Sequence, residues 1–99
     1  MVAIRNFEFK YEVQEGNESQ QLRLTVSQPV RTPSGSFEVV YELSGATSSR
    51  TSVFGETQVQ ALALAMKVIA AEMAGISRTS QLRESESGRL VTAEFFTLS

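Results

Sequence analysis

Four glutamates, Glu8, Glu12, Glu38 and Glu42, sit four residues apart in two segments that alternate polar and apolar residues, which places them together on one face of a sheet. Carboxylates held side by side can act as general acid and base, or hold a hard cation such as calcium or magnesium. The same arrangement is also the ordinary wet side of a half-buried sheet, where Lys10 and Arg23 on neighbouring outward positions balance the charge. No Asn or Asp loop ligand accompanies the four glutamates, so the solvated-face reading is preferred and no metal site is expected.

The rest of the catalytic vocabulary is short. The 99 residues contain no Cys, no His, no Trp and no Asp, all 11 acids being Glu. A disulfide scaffold, a thiolate nucleophile, a Cys/His zinc centre and a Ser-His-Asp triad within one chain are excluded. The glycines at 16, 35, 45, 55, 75 and 88 never reach a phosphate-cradling spacing. Tyr11 and Tyr41 fall on inward phases and are expected in the core. No cofactor is expected.

Charge narrows the partners. Nine basic residues never form a run of three, the net charge is -2 and the isoelectric point is near 5.1, so nucleic acid is not an expected partner. No segment is expected to approach the roughly 20 apolar residues of a membrane span, and Met1-Val2-Ala3-Ile4-Arg5 lacks a basic region followed by an apolar stretch. No membrane partner and a cytoplasmic location are the expectations.

The elements that must position these residues follow from periodicity. Phe7, Phe9, Tyr11 and Val13 alternate with Glu8, Lys10 and Glu12, which predicts a strand with one wet face. Glu15-Gly16-Asn17-Glu18 supplies a turn, and Leu22, Leu24 and Val26 predict a second strand that completes a hairpin. A loop from Ser27 contains the turn Thr32-Pro33-Ser34-Gly35. Phe37, Val39, Tyr41 and Leu43 mark a third strand and Arg50 to Phe54 a fourth. From Glu56 the period changes to three and four residues, with a helix start near Glu56-Thr57 and a stop at Gly75. Residues 77–89 read as a polar loop, and 90–97 as a C-terminal strand that adds to the sheet or crosses the helix.

The helix holds the feature that rises above patterning. Val59, Leu62, Met66, Ile69 and Met73 cover one face, the expected core face, with Phe9, Leu24, Val39 and Leu62 expected to be almost fully buried. Leu64 and Val68, flanked by Ala61, Ala65 and Ala71, lie nearly opposite on the helical wheel. An ordinary surface helix would leave them wet. Either the C-terminal segment folds back over Leu64, Val68, Ala61, Ala65 and Ala71, or these residues form an interface with a protein partner or a second copy of the chain.

The stretch Val53-Phe54-Gly55-Glu56-Thr57-Gln58-Val59-Gln60-Ala61-Leu62-Ala63-Leu64-Ala65-Met66 resembles a family of small uncharacterised bacterial proteins, a domain of unknown function. In that family a short β-meander ends in a Phe-Gly turn and a helix opens with Gln-Ala-Leu-x-Leu-Ala, here Gln60, Ala61, Leu62, Leu64 and Ala65. The resemblance spans about residues 5 to 74 and leaves out the tail from Ser77. Family members commonly open the helix with Asp, where this chain has Glu56-Thr57. The resemblance implies the fold and a bacterial origin, and no reaction.

The sequence therefore predicts one α+β domain over residues 1–99, compact over about 3–76, with an antiparallel sheet of four to five strands packed against one long α-helix. The expected function is a non-enzymatic protein-binding module, a homodimer or a partner-bound protein of the immunity, inhibitor or accessory type. The competing expectation is a small-ligand or enzyme domain with a pocket between sheet and helix.

Overall fold

Alternation builds the first hairpin. β1 (Asn6–Glu15) and β2 (Glu18–Ser27) pair antiparallel from Asn6↔Ser27 to Glu15↔Glu18. The two-residue loop holds Gly16 at φ +59°, the conformation that a type II′ turn requires at its first position and that glycine adopts without steric cost. The computed structural model describes residues 6–85 and 90–91.

β3 (Val30–Arg31) is a short element inside the expected loop, and it pairs with β4 (Phe37–Gly45) around the Thr32–Gly35 turn, where the Gly35 N–H donates to the Thr32 carbonyl at 3.0 Å. Val26 pairs with Tyr41 and Val30 with Glu38, so four steps of chain oppose three. β3 is thus the continuation of β2 beyond a one-residue bulge. Ser27 patches the gap: its Oγ accepts the Val40 N–H at 2.8 Å.

β5 (Ser49–Gly55) returns along the other edge of β4, Phe37↔Gly55 to Leu43↔Ser49. β6 (Gln81–Glu84) pairs with the second half of β1, and β7 (Leu90–Val91) pairs with β6. The antiparallel sheet therefore runs β5, β4, β2, β1, β6, β7, with β3 beside β4 past the end of β2. Seven strand segments stand among the described residues, where four to five strands were expected.

One helix, α1 (Gln58–Thr79), covers one face of this sheet, packing on β5, β4 and β6. Thr57 caps its start as expected: the Thr57 Oγ1 accepts the Gln60 N–H at 3.0 Å, and the Gln60 side chain reaches back to accept the Glu56 N–H at 2.6 Å. Its end differs from the expectation. Gly75 lies inside α1, not beyond it, because Met73 and Ile76 on the next inward positions pack on the core and outweigh a glycine cost of about 1 kcal/mol. The helix stops where Ser80 turns extended and its N–H donates to the Ile76 carbonyl at 3.0 Å.

The core is Tyr11, Val13, Leu22, Leu24, Val26, Val39, Tyr41 and Leu43 of the sheet, Ala61, Ala65, Ile69 and Met73 of α1, and Leu82. The inward phases of all three long strands stand as read. Leu24 and Val39 are buried as expected, but Phe9 is 46% and Leu62 36% exposed, and Val59 and Met66 are also outside. The helix crosses from the β5 side toward β6, leaving the start of β1, with Phe7 and Phe9, beyond its cover. Of the segment read as a polar loop over 77–89, residues 77–84 instead complete α1 and form β6, whose Leu82 is fully buried. Of the expected strand 90–97, Leu90–Val91 adds to the sheet; residues 92–97 lie outside the described residues, as do 86–89 and residues 3–5 of the expected compact part.

Candidate functional site

On the glutamate face three of the four carboxylates stand beside basic residues, and Glu38 lies between Val30 and Phe54. Glu8 Oε1 meets Arg23 Nε at 3.4 Å and Lys10 Nζ at 3.9 Å, all about half exposed. By register Glu42 opposes Arg50 and Glu12 opposes Arg83. These are solvent-screened pairs on the face away from α1, and no group of acidic residues that could hold a metal stands among the described residues.

Between sheet and helix, the space is filled by Leu22, Val39, Ile69, Met73 and Leu82. A small polar group interrupts this packing. The hydroxyls of Tyr41 and Ser49 and the Glu72 Oε2 are buried without a hydrogen bond of good geometry, although Glu72 and Thr51 lie near enough to Tyr41 to affect its proton affinity. Burial raises the Tyr41 phenol above its usual 10.0 and Glu72 adds to that, while Thr51 opposes it. Burial likewise raises Tyr11, with the Glu84 charge adding to it. Both phenols keep their protons at neutral pH, which suits neither a general base nor a nucleophile.

The described residues line open depressions on the surface. One of about 490 Å³ lies between the β1–β2 turn and the end of α1, where Ser80 Oγ donates to Glu15 Oε1 at 2.8 Å. Another, about 320 Å³, lies beside β1 and Glu84 and contains Phe9 and Tyr11. The Ser80–Glu15 contact in the first is exposed to solvent, unlike the water-excluded nucleophile and base of a catalytic site.

What the surface does concentrate is apolar area. Nine large hydrophobic side chains are exposed among the described residues, and five of them, Val59, Leu62, Leu64, Met66 and Val68, are on α1. Ala61 and Ala65 occupy the buried centre of the helix, correcting their placement in the expected interface. The cause is close approach: a Cβ on Gly55 would overlap the Ala61 backbone, so the small residues go down and the large ones are pushed to the sides. Leu64 at 38% and Val68 at 39% stand on one flank, with Ala71 exposed nearby. Because Glu72 lies beside Tyr41, whose hydroxyl is also near Thr51 of β5, that flank is the one over β5; Leu62 and Met66 form the opposite flank, toward Phe9. Leu64, Val68 and Ala71 of the expected interface stand on open surface, and so do Leu62, Met66 and Phe9, which inward periodicity assigned to the core.

Lys67 and Glu72 are the only charges in α1 before Arg78, and the helix, 22 residues with an 18-residue window of mean hydropathy 1.6, is long and apolar enough to cross a membrane by length and composition, where no such segment was expected. In this fold one side of that apolar cylinder is the lid of the sheet, and the remainder faces outward.

A family model described as a domain of unknown function (DUF6968) matches residues 7–93, and the chain belongs to that family. The match runs on through β6 and β7, past the limit near residue 74 that the Phe-Gly junction suggested. No curated protein and no solved structure matches the chain.

Proposed function

We propose that this domain is a non-enzymatic protein-binding module that docks through the outward apolar flanks of α1, with Leu64 and Val68 at the centre of the contact. The observation that carries this reading is the exposure of five large apolar side chains on one helix, an area that soluble domains seldom leave in water without a partner. The filled space between sheet and helix favours it over the ligand-pocket alternative. The neutral phenols and the solvent-screened glutamates offer weaker support for an enzymatic reading.

The test is capture of partners from the native host's extract by the immobilised parent and by Leu64→Glu with Val68→Glu. A protein retained by the parent and lost by the folded double variant supports the reading. Identical retention by both proteins, or none by either, contradicts it.

A further inference from the structure

Among the described residues β5 pairs with β4 alone, and its edge carries few of the usual guards. Ser49-Arg50-Thr51-Ser52-Val53-Phe54-Gly55 has no Pro, no Lys and no bulge, and its one charge, Arg50, points away from the helix side. Natural sheets blunt such an edge unless it is used.

The ladder determines which groups this edge offers. The two-residue loop makes Glu15↔Glu18 a hydrogen-bonded pair. Alternation across β2 and β4 then directs the inward residues of β4 to β5, and the Val40 N–H, from an outward residue, turns toward β2 and Ser27 as it should. On β5 the inward residues are therefore used by β4, and Arg50, Ser52 and Phe54 aim their N–H and C=O groups at the open edge.

Resting on the protein-binding reading above, we infer that the partner is a second copy of this chain, joined by antiparallel pairing of β5 with β5 about a two-fold axis at Ser52. In that register all seven residues pair, and the strand complements itself. Arg50 of each copy lies opposite the half-exposed Phe54 of the other, a cation over an aromatic ring, and no like charges meet. Thr51 opposes Val53 on the inner face. Shifting by two residues in either direction, the next registers these donors permit, puts Phe54 opposite Ser48 or Ser52 and loses the complement. The two-fold axis also leaves both α1 helices on one face of the joined sheet, turning each Leu64 and Val68 flank toward the other copy.

Light scattering across a dilution series tests this. The parent should be a dimer that dissociates on dilution to the 10.9 kDa chain. Ser52→Pro should be a folded monomer, because the N–H it removes points away from β4. The chain has no cysteine, so Ser52→Cys should oxidise to a linked dimer much faster than Ser34→Cys on the remote turn. A parent that is monomeric at every concentration overturns the inference, as does a dimer that persists in folded Ser52→Pro. Should Ser52→Pro fail to fold, linkage of Ser52→Cys no faster than Ser34→Cys overturns it. A monomeric parent that still captures a protein through Leu64 and Val68 defeats the self-pairing and leaves the protein-binding reading standing. A dimer lost in Ser52→Pro but untouched by Leu64→Glu with Val68→Glu supports the strand pairing and removes the helix flank from it.

Discussion

Ala61 rests directly on Gly55, so closely that a Cβ at position 55 would overlap the Ala61 backbone. This contact sets the height of α1 above the sheet and decides which of its two apolar sides turns down. A helix this near β5 admits only small side chains beneath its first turns, and Ala61 and Ala65 supply them. The contact predicts that Gly55→Ala is destabilising by more than the usual surface change, and that Ala65→Leu costs about 1 to 3 kcal/mol through overpacking. Denaturant melts of both variants check this.

The two ends of the helix's apolar surface should respond differently to truncation. Met73 is fully buried, and Met73→Ala should cost about 2 to 5 kcal/mol. Leu62 is 36% exposed, and Leu62→Ala should cost less than half as much as Met73→Ala. Unfolding free energies measured side by side decide it.

Gly75 sits in the helix with open space where a Cβ would go and without a positive φ. Gly75→Ala should stabilise the protein by about 0.5 to 1 kcal/mol. At the other end, Thr57→Ala removes the acceptor for the Gln60 N–H and should cost about 1 kcal/mol. Opposite shifts of the thermal midpoint are the expected result.

Tyr41 gives a pH signature. Its folded-state proton affinity is raised above the ordinary 10.0, first by burial, so folding favours the neutral phenol. The stability this contributes is complete below pH 10 and is lost as pH climbs above 10 toward the folded value. Unfolding free energy should fall in that alkaline window, with Tyr11, raised in the same sense, adding to the slope. Tyr41→Phe should flatten the fall. At neutral pH it should be near neutral or stabilising, since it deletes a buried hydroxyl without a good hydrogen bond.

The sheet was legible because period-two alternation is a strong signal, and Tyr11, Leu22, Leu24, Val39, Tyr41 and Leu43 all face inward where it places them. β6 was hidden because four residues with one apolar side chain, Leu82, carry no period; pairing with β1 creates that strand. Hydrophobicity alone could not choose the buried face of α1, since both sides of the helix are apolar. Residue size decided it, through Gly55 and Ala61. The signal was present in the sequence as Ala61 and Ala65 one turn apart, six and ten residues after a glycine.

The most direct test of the central claim, that the Leu64 and Val68 flank serves binding and not the fold, is the denaturant melt of Leu64→Glu with Val68→Glu at high dilution, where assembly contributes nothing. A docking flank predicts a cooperative transition within about 1 kcal/mol of the parent, the range of exposed substitutions. A loss of several kcal/mol, or failure to fold, would return these two side chains to the chain's own core and contradict the account.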